Sequence, residues 1–275
     1  MSKNKGDLDT RMKEYEYVTR TYLTRRMPVM IRLDGKAFHT FTKGFNKPFD
    51  DIMIQTMQDT MQYLCENIEG CVLGYTQSDE ITLVLCDYKK ITSEAWFNNN
   101  VQKICSISAS MATMVFNKFF EINVKDMYKG TVENSPYVSR KGFCEVPSLK
   151  MGMFDSRVWN IPKEEVNNCL VWRQMDATRN SIQSLAQSLY SCKQLEGVDT
   201  KTLQDKMFTE KGVNWNDLPT HLKRGSCCVK VPTEVPLFVG NISDEFIIRN
   251  KWTVDCNIPI FSQDSDYVNS RIIFD

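Results

Sequence analysis

The chain has 275 residues, 42% hydrophobic and 25% charged, enough to bury a substantial core as one large domain or two tightly joined lobes. Lys plus Arg and Asp plus Glu both total 34, so net charge points to no nucleic-acid partner, although a local basic face can bind phosphate within a neutral chain. No apolar run approaches the roughly 20 residues that span a bilayer, and the N-terminal MSKNKGDLDTRMKEYEYVTR has no apolar signal core. Ten cysteines form no CxxC pair and the histidines are His39 and His221, which disfavours a Cys/His zinc site. Thiols such as Cys65, Cys86 and Cys105 fall in apolar segments and read as small core residues; the expectation is a reduced, cytoplasmic protein away from membranes.

Residues 1–27 are a charged N-terminal segment. After Pro28, VMIRLD is a short apolar run ending at Asp34-Gly35, a buried strand stopped by a glycine turn. A basic loop, Lys43 to Lys47, leads to Pro48, which opens a helix with Asp50 and Asp51 in its first turn. Met53, Met57, Met61, Leu64, Cys65 and Ile68 recur at helical spacing, and Gly70 closes the element. CVLGY and ITLVL follow as strands joined by the five residues TQSDE, a hairpin spacing.

Thr92 or Ser93 caps a long helix with Phe97, Val101, Ile104, Met111 and Val115 along one stripe. Gly130, Pro136, Gly142 and Pro147 mark residues 125–150 as a loop, and FDSRVWNIP, Phe154 to Pro162, is a further strand. The order strand–helix–strand–strand–helix–strand is the split βαβ, or ferredoxin-like, arrangement, so the expected class is α+β. Beyond it come a helix over Lys163–Cys192, a second over Thr200–Met207, the turn-rich VNWNDLP and a strand in KRGSCCVKVP. The last forty or so residues mix strand-like pieces with loops.

Asp34 ends the first strand and Asp79-Glu80 lies in the hairpin turn. In a split βαβ sheet the first strand neighbours that hairpin, so three carboxylates from distant positions converge. Such a cluster is costly unless a cation neutralises it, and hard oxygen donors favour Mg²⁺, held by one or two carboxylates plus substrate phosphates. Two ions would clamp the oxygens of a phosphoryl or nucleotidyl transfer. The competing reading makes Asp34 a turn residue and Asp79 and Glu80 solvated loop acids.

GKAFHTFTKGFNKP, the segment after Asp34, is consistent with nucleotide binding. Gly35 admits a phosphate or metal to the backbone, Lys36, Lys43 and Lys47 supply cations, and Phe38 and His39 could stack on a base. Alternatively it is a solvated loop with Phe38 and Phe41 in the core.

IRLDGKAFHTF, NKPFD, GYTQSDE, FDSRVWNIP and WRQMDATRN, in this order, resemble the tRNA-His guanylyltransferase family, and within it the bacterial and archaeal-type guanylyltransferase-like branch. The resemblance runs from about Pro28 to Lys230. It implies a polymerase-type palm over residues 28–162, with residues 163–275 packing on it as additional helices and strands. The implied activity is 3′–5′ nucleotide addition: an RNA 5′ end is activated by adenylylation or carries a triphosphate, and the 3′-hydroxyl of an incoming nucleotide attacks it. By the same resemblance Asp34 and Asp79 bind the metals, with the Gly35 carbonyl as a further ligand, and Glu80 is needed for activity. Asp34, Gly35, Lys36, Ala37, Phe38 and His39, with Ser78 and Asp79, bind the nucleotide, and Lys47 and Asp50 lie near its triphosphate. Arg32 and Asn180 match a basic and an amide position, and Lys206 a later basic one. The implied partners are tRNA, GTP, ATP and other NTPs, the cofactor two Mg²⁺ ions per site, and the assembly a homotetramer, a dimer of dimers.

Members that add G to tRNA-His carry a histidine–isoleucine–asparagine–asparagine run after the start of the WRQ helix. Here Asp176-Ala177-Thr178-Arg179-Asn180-Ser181 stands in its place, with Thr178 at the histidine position and only Asn180 kept. That departure favours template-dependent repair of 5′-truncated tRNAs over G addition to tRNA-His. Basic candidates for the RNA surface are Arg25-Arg26, Arg140-Lys141, Arg173 with Arg179, and Lys223-Arg224. Two other readings stand beside this one: a nucleotide cyclase on the same topology, and a non-catalytic RNA-binding palm.

Overall fold

The computed structural model describes residues 4–129, 135–139, 148–236 and 246–273. Gly130, Gly142, Pro147 and the Arg140–Lys141 pair lie outside these residues. In chain order the elements are α1 (Asn4–Tyr17), β1 (Val29–Gly35), α2 (Phe38–Phe41), α3 (Asp51–Asn67), β2 (Cys71–Gln77), β3 (Glu80–Leu85), α4 (Val101–Tyr128), β4 (Val138–Ser139), β5 (Ser148–Leu149), β6 (Phe154–Asn160), α5 (Lys163–Leu189), α6 (Cys192–Leu195), α7 (Thr200–Lys211), α8 (Thr220–Arg224), β7 (Ser226–Pro236), β8 (Phe246–Asp255) and α9 (Asp266–Ile272). Among the described residues no helix is long and apolar enough to cross a membrane.

The main sheet has the order β6-β1-β3-β2-β7-β8, and all its paired strands run antiparallel. Its first four strands are the expected split βαβ set, with β1 central. The C-terminal region does more than pack on that sheet: β7 and β8 extend it. Residue alternation gives the sheet two distinct faces. Val29, Ile31 and Leu33 point toward α3 and α4, where they meet Met57, Met61, Leu64, Phe116 and Phe120. Each of these buried side chains contributes about 1.5–3 kcal/mol. Met30 points to the opposite face and packs with Leu73, Val84, Val166 and Leu170 under α5.

Several boundaries differ from the sequence reading. The expected loop over residues 125–150 holds the last turn of α4 and the paired β4 and β5, α5 ends at Leu189 instead of Cys192, and α7 continues to Lys211 instead of Met207. The hairpin turn is two residues long, Ser78-Asp79, with Ser78 at φ +51°, so Glu80 opens β3 instead of lying in the turn. Asp50 is the N-cap of α3, accepting from the Met53 N–H, and not a first-turn residue. The long helix α4 is capped by Asn100 through the Lys103 N–H, not by Thr92 or Ser93; Phe97 precedes it with left-handed backbone and stays exposed. The expected tail of strands and loops also contains α9, whose Val268 and Ile272 are fully buried.

β7 joins the sheet through Gly225, at φ +84°, where a Cβ would lie 2.4 Å from the Thr76 carbonyl oxygen. Only a residue without a side chain lets β7 run this close to β2. The Tyr75 hydroxyl donates to the Arg224 carbonyl at 2.7 Å, fixing α8 beside the turn end of the β2–β3 hairpin.

Candidate active site

The strand register assembles the site. Asp34 pairs with Glu80 on β3 and with Asp155 on β6, so three acidic residues stand in a row on one face of the sheet. The hairpin turn adds Asp79 at the end of that row. The Gly35 N–H donates to the Asp79 carbonyl at 3.0 Å, joining the end of β1 to the turn. The Ser78 hydroxyl donates to Asp79 Oδ1 at 3.0 Å. Burial pushes the Asp79 carboxyl above its ordinary range; its bond from Ser78 opposes that shift and the nearby Asp34 charge adds to it.

Glu80 does not share this arrangement. Arg173 of α5 donates through Nε to Glu80 Oε1 at 2.7 Å, and both side chains are more than nine-tenths buried. Burial raises the Glu80 carboxyl and the guanidinium opposes the rise. Arg173 also holds Asp176 at 2.9 Å, and Asp176 in turn pairs with Arg179. The expected three-carboxylate cluster is therefore a pair, Asp34 and Asp79, with Glu80 held by an interior cation. Arg173, expected at an RNA surface, is an interior residue.

Among the described residues no three His, Cys, Asp or Glu side chains converge as a metal site. Two carboxylates beside a backbone turn nevertheless match the way Mg²⁺ is held, with the remaining positions filled by water and substrate phosphate. Asp34 has Arg157 Nη2 at 3.8 Å, and Arg157 also reaches Asp155 at 3.5 Å. Asp155 and Arg157 were absent from the sequence reading. The available signal was FDSR at the start of a strand antiparallel to β1.

Asp79 and Gly35 open onto a cavity of about 580 Å³. Ala37, Phe38, His39, Lys47, Asp50 and Ser78 line it from one side, and Asn180, Ser181, Ser184, His221 and Lys223 from the other. Most of the expected nucleotide-binding residues thus meet, with four corrections. Asp34, at the end of β1, is not among the lining residues. The Phe38 ring is buried against Phe41, Phe116 and Phe154, with centroids 4.8–5.5 Å apart, so it is core and His39 is the exposed ring at the cavity. Asp50 borders the cavity with its carboxylate already engaged by the Asn46 and Met53 N–H groups and the Tyr137 hydroxyl; it positions the loop. Lys36 is exposed outside the cavity and its N–H bonds the Met153 carbonyl at 2.8 Å.

His221 was missed because nothing in the sequence links THLKR to GKAFH. Both histidines of the chain line this one cavity, and burial lowers His221 below its ordinary range. Of the other expected RNA-contacting residues, Asn180 lines the cavity, Arg32 lies 5.7 Å from the Trp172 ring and Arg179 is exposed beside Asp176. Lys206 is elsewhere, over the Tyr190 ring at 5.1 Å and 3.9 Å from Glu210. The Arg25 side chain is engaged by Glu94 and Arg26 by the Asp87 and Lys90 carbonyls.

Residues 9–162 match the family model described as Thg1, tRNAHis guanylyltransferase. A bacterial tRNA(His) guanylyltransferase (Thg1)-like protein solved in complex with ATP is 40% identical, with a TM-score of 0.80 over 98% of this chain and all of that one. The corresponding complex with GTP is 38% identical, with a TM-score of 0.74 over 96% of this chain and 98% of that one. The tRNA(His) guanylyltransferase of Schizosaccharomyces pombe is 26% identical over 238 residues, 81% of this chain and 80% of its own. The chain, an α+β nucleotidyltransferase, belongs to the tRNA-His guanylyltransferase family.

Proposed function

We propose that this protein adds nucleotides in the 3′–5′ direction to the 5′ end of tRNA, repairing 5′-truncated molecules by copying the opposing 3′ strand. The observation that carries this reading is Asp79 and Gly35 opening onto a cavity with lysines on both sides, with Asp34 tied to them by the Gly35 N–H bond to the Asp79 carbonyl. Similarity to proteins solved in complex with ATP and with GTP supports a nucleotide as a substrate.

Asp34 and Asp79 would hold Mg²⁺, with the Gly35 carbonyl as the resemblance implies; the bound metals supply charge neutralisation at the triphosphate and a more acidic attacking hydroxyl. Lys47 and Lys223 flank the triphosphate from opposite walls, and Ser78 orients Asp79. His39 offers its ring to a base, and Asn180 its amide. Glu80 acts at one remove: with Arg173 it fixes the start of β3 and so the turn that presents Asp79. Thr178, where tRNA-His enzymes carry histidine, favours repair over dedicated G addition. In this reading pairing with the 3′ strand selects the base, so GTP, ATP and the other NTPs are all substrates. It also carries a cytoplasmic homotetramer, which light scattering on the purified protein tests.

The deciding experiment offers a tRNA lacking its first 5′ nucleotide, as mono- or triphosphate, with each NTP in turn and Mg²⁺. Incorporation of whichever base complements the 3′ strand is expected. Incorporation of G alone, whatever the opposing base, overturns the repair assignment.

A further inference from the structure

The face that carries the acid row continues into a second, differently lined site. Next to the Asp34–Asp155 pair on that face comes the Arg32–Arg157 pair, and next to it Met30–Trp159. Successive residues on one strand face are about 7 Å apart. Trp172 of α5 leans over this ladder, and Arg32, Arg157, Trp159 and Trp172 line a cavity of about 500 Å³. The Arg32 guanidinium lies 5.7 Å from the Trp172 ring centroid, and its buried Nε has no hydrogen-bond partner among the described residues. Trp172 is 53% exposed, an unusual amount of indole surface to leave in water. β6 is the edge strand of the sheet, so the cavity opens at the rim of the molecule.

Guanidinium groups recognise phosphate oxygens and indoles stack on bases. Two of each around one cavity is the chemistry of a nucleotide site. Its position relative to the acid pair is also informative: Gly35 and Asp79 face the first cavity, whereas Asp34 is connected to this one through Arg157 at 3.8 Å. A transfer between two substrates needs a place for each, on either side of the reacting centre.

We propose that this arginine–tryptophan cleft receives the 5′-phosphorylated terminal nucleotide of the RNA acceptor, its base against Trp172 and its phosphate toward Arg157 and Arg32. The proposal rests on reading Asp34 and Asp79 as the transfer centre. The rim position lets the rest of the RNA run outward, and a phosphate that engages Arg157 frees the Asp34 carboxylate from its present partner.

The test reads binding in EDTA, so that no turnover is needed. A 3′-fluorescein acceptor-stem RNA, with a 5′-monophosphate or a 5′-hydroxyl, is titrated with the full chain, and GTP binding is followed separately by equilibrium dialysis. The wild type is expected to prefer the 5′-phosphate. Trp172→Ala should weaken RNA binding about tenfold, with recovery in Trp172→Phe, and Arg32→Gln should abolish the preference for 5′-phosphate. GTP binding should stay unchanged in all three. Wild-type RNA affinity in both Trp172→Ala and Arg32→Gln overturns the proposal, and so does loss of GTP binding with RNA binding intact, which would make the cleft a free-nucleotide site. A wild type that binds 5′-phosphorylated RNA in this way but adds no nucleotide refutes the proposed function and leaves the cleft assignment standing.

Discussion

The Gly35 N–H and the Asp79 carbonyl, 3.0 Å apart, hold the end of β1 to the hairpin turn and so fix the spacing of Asp34 and Asp79 without using either carboxylate. Asp34 then has only the Arg157 guanidinium at 3.8 Å, and Asp79 only the Ser78 hydroxyl, to exchange for a cation. Asp34→Ala or Asp79→Ala should therefore lower nucleotide addition roughly a hundred- to a thousandfold while leaving circular dichroism close to wild type and without lowering the melting temperature. Undiminished addition in either variant would refute the assignment.

A pair of acids kept for a cation should oppose folding when no cation is present. The Asp79 carboxyl is raised, mainly by burial, so its ionised form is disfavoured in the folded chain. The stability associated with a raised carboxyl is fully present below its unfolded value, and is lost as pH rises through the folded value. Asp79→Asn should consequently unfold at a higher temperature than wild type in EDTA near pH 7. That difference should narrow as pH falls through the raised value. A lower melting temperature for Asp79→Asn at pH 7 contradicts this account.

Gly35 has a steric role that its sequence context did not reveal. A Cβ there would lie 2.4 Å from the Phe38 ring, which is fixed by Phe41, Phe116 and Phe154. Gly35→Ala should cost about 1–3 kcal/mol, the usual range for overpacking a core, read by urea unfolding. Phe38→Leu on that background should recover part of the loss.

The palm was legible because its signals are local: methionines at helical spacing in α3, short apolar runs in β1 and β3, a glycine at the end of β1. The meeting of Asp34 with Asp79 followed from topology alone. The role of Glu80 was not legible, because its partner Arg173 lies 93 residues away on a helix whose docking the pattern does not determine. For the same reason His221 was invisible as a cavity residue. Phe38 was ambiguous in sequence because one residue of a glycine-rich loop serves core and cavity equally well until the aromatic cluster around it is seen.

The buried Glu80–Arg173 pair gives a test of positioning as distinct from chemistry. Removing one partner leaves the other charged, buried and unpaired, at a cost of about 3–5 kcal/mol. Arg173→Met should therefore unfold at markedly lower urea than wild type, and Arg173→Met with Glu80→Gln should recover much of that stability. Nucleotide addition should not return in parallel, since the neutral pair no longer anchors the start of β3 against α5. Full activity in the stable double variant would show that the pair does not position Asp79.

His39 and Phe38 are neighbours in sequence with opposite surroundings, one exposed at the cavity and the other 4% exposed in the aromatic core. His39→Ala should leave the urea midpoint unchanged and weaken GTP binding about fivefold or more, the lower end of what a stacked base loses. Phe38→Ala should cost about 3–5 kcal/mol, as buried phenylalanines do. Phe38→Leu, which keeps most of the apolar contact, should retain GTP affinity. If His39→Ala binds GTP as wild type while Phe38→Leu loses it at unchanged stability, then Phe38 is the ring that meets the base, and the core assignment made from its packing is wrong.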